Sequence, residues 1–235
     1  MPQSWRPNKG GNVTTVTFVS KTCFVCKKES RQAEMGVRGN IEPYDLDTRP
    51  TGAPRSSIYI WVQRCSTCGY CAPDISEGTE GVKGIVESEE YRQRLKNRKF
   101  PEALNHFLCW SMIQEALGDF ADAGWAALYA AWVCDDDGNI RSHAANCRQQ
   151  AYGLFEQAQM KGQNFADSAQ QENLIMLDLL RRCGHFDDAR RLCGELLEKK
   201  DLAAKAKQIL TYEEDLIEEK DGAKHTIGEA VEDGD

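Results

Sequence analysis

Two short segments, Cys23-Phe24-Val25-Cys26 and Cys65-Ser66-Thr67-Cys68, each place two thiols three positions apart, and 38 residues separate the pairs. A turn of this kind can bring both sulfurs into one tetrahedral sphere, at the roughly 2.3 Å that zinc–thiolate bonds require. No histidine lies near either pair, so the expected ligand set is Cys23, Cys26, Cys65 and Cys68. Four thiolates close the coordination shell and leave no position for water, which points to one structural Zn2+ rather than a catalytic metal. The same ligand set also suits iron in a rubredoxin-like electron-transfer site, and spacing alone leaves that alternative open. Lys27, Lys28 and Arg64 adjoin the ligands, where they can offset the negative charge of a four-thiolate complex. Gly69 follows Cys68 where the chain must turn its amides toward sulfur, an easy conformation for glycine; Lys27 occupies the matching place in the first turn.

A third cysteine, Cys71, extends the second pair to C-x-x-C-x-x-C, but a ferredoxin-like reading needs another cysteine just downstream, where Ile75 stands. The remote pair completes a tetrahedron without Cys71, so this thiol is read as a small packing residue. Cys109, Cys134, Cys147, Cys183 and Cys193 are scattered through helix-like sequence and read as buried small hydrophobes. The first twelve residues contain no apolar core of a signal peptide, so the expected setting is cytoplasmic and reducing, and clustered thiols there hold metal rather than form disulfides.

The elements that must position these ligands follow from local pattern. Residues 13–19 (VTTVTFV) and 58–62 (IYIWV) are β-branched and aromatic, and each leads toward a cysteine pair as a strand. Between them, residues 40–55 carry three prolines and a glycine and read as loop. At Ser88 a helix begins, with Glu89 and Glu90 in its first turn and Arg98 and Lys99 in its last; Pro101 starts another. Helical periodicity then continues to about residue 219. Gly118-Asp119-Phe120 and Gly184-His185-Phe186 open the shared pattern Gly-x-Phe-x-Asp-Ala, with the glycines 66 residues apart. That is close to twice the roughly 34-residue period of tetratricopeptide repeats. The fold class is therefore α+β, mostly α: a zinc-ribbon domain over 1–86, a tetratricopeptide-like domain over 87–220, and a disordered acidic tail over 221–235.

Charge divides the chain unevenly, with 16 Lys+Arg against 11 Asp+Glu in residues 1–100 and 13 against 26 in the remainder. The longest uncharged apolar run, Ala126 to Cys134, is too short to span a bilayer, and no membrane association is expected. Helical repeats form grooves that bind peptides. Alignment of the two glycine turns places Asn105, Met112, Glu115, Asp178, Arg181 and Arg182 on the ligand-facing side, so the leading expectation is a protein or peptide partner in that groove. Nucleic-acid binding is the alternative, carried by Arg92, Arg94, Lys96, Arg98 and Lys99 and by Lys21, Lys27, Lys28 and Arg31 around the first cysteine pair. The four histidines are isolated, and neither a phosphate-cradling glycine loop nor H-E-x-x-H occurs, so the chain is not expected to be an enzyme.

Taken together, the strand-flanked first pair, Asp45-Leu46-Asp47-Thr48-Arg49-Pro50, Cys65-x-x-Cys68-Gly69-Tyr70 and Ala130-Ala131-Trp132-Val133 resemble the bacterial family called Domain of Unknown Function 2225 over most of residues 20–200. The resemblance implies a rubredoxin-like zinc module on a helical repeat domain and supplies no activity. Lys27 and Cys71 depart from that family's usual glycine and small residue, and neither departure removes a ligand. Replacing Cys71 by alanine is accordingly expected to leave the metal content of the purified protein unchanged; loss of metal would make Cys71 a ligand.

Overall fold

Strand-forming residues Thr15–Thr22 (β1) pair antiparallel with Glu29–Gly36 (β2), Thr22 lying opposite Glu29, so the first cysteine pair forms the hairpin turn. A computed structural model describes residues 15–36 and 44–231; the predicted start of the first strand, at residues 13 and 14, lies outside them. A short helix at Gly52–Ser56 (α1) follows the Pro-rich loop. The predicted strand at 58–62 is instead a 3-10 turn at Ile58–Ile60, and the chain is extended only at Gln63–Arg64 (β3), which pairs with Cys71–Ala72 (β4). Tertiary packing overrides the β propensity here. Ile58, Trp61 and Val62 are all buried, and the Trp61 ring meets Tyr129 and Trp132 edge-on at 5.3 and 6.2 Å, an arrangement that alternating strand faces would not provide.

Val82–Glu87 (α2) leads into Glu89–Leu95 (α3), where Ser88 caps as expected by accepting from the Tyr91 amide. This helix ends before Arg98 and Lys99, leaving Arg92 and Arg94 in its last turn. The helical layer comprises Glu102–Ala116 (α4), Phe120–Asp136 (α5), Ala144–Met160 (α6), Ala169–Arg182 (α7), Phe186–Leu197 (α8) and Ala204–Glu218 (α9). The architecture is α+β and mostly α. At both repeated glycines the chain reverses through the same helix-ending pattern, in which Asp119 and His185 amides donate back to Gln114 and Leu180 carbonyls, with Gly118 and Gly184 at φ 80° and 79°.

One apolar core runs from Cys23, Cys65 and Tyr70 through Phe107 and Trp132 to Phe155 and Leu179. The boundary expected at residue 86 falls within α2, and this core runs on both sides of it. At the centre of this junction lies a polar cluster. Asp47, wholly buried, accepts from Trp132 Nε1 at 2.8 Å, Arg182 Nη1 at 2.7 Å and Arg148 Nη2 at 3.4 Å. Asp135 binds the same two arginines from the end of α5, while Arg49 and Arg55 meet Asp136. Burial pushes the Asp47 carboxyl up, but Arg182, Arg148 and the Trp132 N–H together hold it below its ordinary value.

The expected disordered tail is corrected over residues 221–231; residues 232–235 lie outside the described residues. Arg181 Nη1 donates to the Asp221 and Ala223 carbonyls, the Leu46 amide donates to His225, and the Ile227 amide to Tyr44. Ile227–Ala230 (α10) has a Thr226/Glu229 capping box and packs Ala230 with Leu46, Ile209 and Leu216. The low hydrophobicity of this segment concealed it: among the described residues its apolar contacts come from Ile227, Ala230 and Val231, and the rest are hydrogen bonds and the His225–Tyr212 ring contact. No described helix is long and apolar enough to cross a membrane.

Removing one partner of a buried ion pair leaves the others uncompensated and costs about 3–5 kcal/mol. Asp47→Ala is expected to lower the unfolding free energy by about that amount, and Asp47→Asn, which can still accept a hydrogen bond, by less. Urea denaturation followed by tryptophan fluorescence measures both.

Candidate metal centre

The two cysteine pairs are built on one template. Residues 23–28 join β1 to β2 and residues 65–70 join β3 to β4, so each pair opens a six-residue hairpin turn. In the first, the Cys23 amide donates to Lys28 O and the Lys27 amide to Cys23 O, both at 2.9 Å. In the second, the Cys65 amide donates to Tyr70 O at 2.8 Å and the Gly69 amide to Cys65 O at 2.9 Å. The fifth position of each turn is left-handed, Lys27 at φ 57° and Gly69 at φ 81°. The lysine adopts a conformation in which its Cβ crowds the following carbonyl; its ammonium lies 4.5 Å from the centroid of the Phe24 ring.

The turns face each other so that all four Sγ atoms lie within 4.8 Å of one another, with Cys23 to Cys68 at 3.7 Å and Cys26 to Cys65 at 3.6 Å. A tetrahedron with metal–sulfur bonds of about 2.3 Å has sulfur–sulfur edges of about 3.8 Å. The four predicted ligands are thus brought together with the donor chemistry and spacing of a tetrahedral thiolate site. Cys23 and Cys65 are fully buried, while Cys26 and Cys68 are half-buried. Burial opposes ionisation of Cys65, but the Cys68 and Thr67 amides and the facing thiols bring it down to about 7. Cys23 and Cys68 are pushed up, burial again being the main cause.

Cys71 stands outside this group, at the first position of β4. Its amide donates to Tyr91 Oη at 3.1 Å, and burial raises its thiol well above the ordinary value. Tyr91 in turn donates to Gly69 O at 2.9 Å. Leu95 also lies over the turn: a Cβ on Gly69 would fall 2.4 Å from Leu95 Cδ2. Helix α3 therefore holds the second turn with two residues that the motif did not identify, although their i,i+4 spacing put them on one face. The first turn is held from the other side, where the Phe24 amide donates to Ile75 O and the Phe24 ring fills the space beside Gly78. Lys27, Lys28 and Arg64, expected to offset the thiolate charge, are all exposed beside the site.

The six residues expected in a peptide groove do not form a common free surface. Asn105 is buried and donates to Asn97 O, Asp178 and Arg181 are buried and paired with each other, and Arg182 binds Asp47 and Asp135. Met112 is half-buried and Glu115 exposed. Arg181 also pairs with Glu213, whose carboxyl is pushed up to about 8 by burial and by the Asp178 charge against the pull of Arg181. A charge reversal at Arg181 or Arg182 would thus disturb folding as well as any surface.

A family model described as "Uncharacterized protein conserved in bacteria (DUF2225)" matches residues 19–219. No curated protein and no solved structure matches the chain.

The two turns offer an internal comparison. Lys27→Gly is expected to raise the unfolding free energy of the metal-loaded protein by up to about 1 kcal/mol through relief of left-handed strain, and Gly69→Ala to lower it by about 1–2 kcal/mol. Chemical denaturation of both variants at saturating metal measures the difference.

Proposed function

We propose that this chain, which belongs to the DUF2225 family, is a non-enzymatic adaptor that holds one structural zinc on Cys23, Cys26, Cys65 and Cys68 and binds a protein or peptide partner in the cytoplasm. The tetrahedral spacing of the four sulfurs carries the reading. Zinc bound there would fasten two hairpins that are also joined by contacts such as the hydrogen bond from Gln32 Nε2 to Arg64 O at 3.1 Å. A metal with four thiolate ligands offers a substrate no coordination position, which supports a structural rather than a chemical role. Both turns are seated on the core that the helices share, so metal binding is linked to the shape of the helical face.

Zinc and iron satisfy the same four sulfurs and are told apart by colour and elemental analysis. Protein purified without added metal is expected to be colourless with one equivalent of zinc, to lose it in Cys26→Ser, and to lose ribbon structure on chelation in reducing buffer. A red protein carrying one equivalent of iron would replace the adaptor reading with electron transfer. Quantitative affinity capture with zinc retained is expected to return a stoichiometric protein partner that is released on chelation.

A further inference from the structure

Between the metal-binding hairpins and helices α4 and α5 lies a cleft of about 640 Å³. Its walls differ in how their charges are satisfied. On the hairpin side Lys21 is shared by Glu34 and Asp74, each at 2.5 Å, so these three groups largely neutralise one another. On the helix side, Asp122 faces the cleft from the first turn of α5, where among the described residues its side chain accepts only from the Gln114 amide, at 3.3 Å. Trp110, one turn before Gln114 on α4, is 4% exposed and lines the same cleft; its indole N–H meets no acceptor among the described residues.

A group that fits this wall must bring a positive charge with several N–H donors to Asp122, an acceptor to the Trp110 N–H, and a flat weakly hydrated surface to aromatic neighbours. A guanidinium meets the first and third requirements: it is planar, binds carboxylates in bidentate fashion, and stacks on indole with less desolvation than an ammonium. A peptide carbonyl meets the second. We propose that the cleft binds an arginine side chain of a partner protein, with Asp122 receiving the guanidinium and Trp110 donating to the adjoining main-chain carbonyl. The inference rests on the adaptor reading and names the chemistry of its partner.

Asp122 supplies an independent gauge. Burial and the neighbouring Asp119 charge push its carboxyl up to about 6 against the pull of the Gln114 hydrogen bond; a guanidinium beside it must lower that value.

The test titrates Ac-Gly-Arg-Gly-NH2 into the metal-loaded full chain, with the Trp110 indole N–H and the Asp122 carboxyl followed by NMR. Saturable displacement of the Trp110 resonance is expected, together with a fall of at least one unit in the Asp122 pKa. The same peptide with citrulline, the neutral isostere of arginine, is expected to bind at least tenfold more weakly, as is the arginine peptide to Asp122→Asn. Equal response to arginine and citrulline, or no saturable response at Trp110, overturns the proposal. The wild-type measurements decide it even where Asp122→Asn is destabilised. Capture of a protein partner by a chain that ignores arginine would leave the adaptor reading standing without this one; arginine binding in a chain that captures no protein would do the reverse.

Discussion

A carboxylate removed from water has to be met by positive charge inside the fold, and the arrangement around Asp47 follows from that requirement. The turn that carries it is strained: Thr48, a β-branched residue, stands at φ 66°, and the turn is closed by the Asp45 amide donating to Arg49 O and the Thr48 amide to Asp45 O. That conformation aims Asp47 between α5, α6 and α7, where Trp132, Arg148 and Arg182 converge on one oxygen. Those arginines also bind Asp135, and Arg49 and Arg55 reach Asp136, so four aspartates, Asp45 included, and four arginines balance across a single junction. A hydrophobic replacement could be as stable. The ionic version instead fixes one register between the loop and three helices, because each guanidinium has a directional partner.

The metal site depends on this frame through the core that joins them. Trp132, held at its N–H by Asp47, packs against Trp61, two residues before β3 and the second cysteine turn. Tyr91 and Leu95 hold that turn from α3, while Phe24 and Ile75 hold the first. The four sulfurs are thus positioned by packing as well as by their own backbones, and a bound metal would lock an arrangement that the core already favours. The C-terminal segment closes the opposite side: Thr226 bridges to Asp45, and Arg181 grips the carbonyls of Asp221 and Ala223.

This division of labour separates two kinds of buried charge. The arginines of α7 are consumed by internal partners, which removes them from any peptide groove. Asp122, by contrast, faces the cleft and forms no ion pair among the described residues, its carboxylate accepting from Gln114. The acidic second half of the chain therefore does not act as a uniform field: some of its carboxylates are matched inside the fold, whereas Asp122 faces the cleft beside the hairpins.

Much of the site was legible because its chemistry is local. A thiol pair three positions apart, followed by glycine or its substitute, carries its own turn geometry, and so the four ligands, the left-handed strain at Lys27 and the exclusion of Cys71 could all be read from neighbouring residues. The Ser88 cap and the glycine turns at 118 and 184 were legible for the same reason. What could not be read were contacts between residues far apart in the chain. Asp47 and Arg182 are 135 positions apart, and nothing in either neighbourhood says that a Pro-rich loop will be buried or that two arginines will turn inward. IYIWV has the composition of a strand, yet the indole and aliphatic groups around it reward a turn that buries several faces at once. Local residue types determined which thiols could share a metal and where several helices begin; only the packing of distant elements decided which charges are neutralised inside and which remain at the surface, because desolvation depends on what surrounds a group in space.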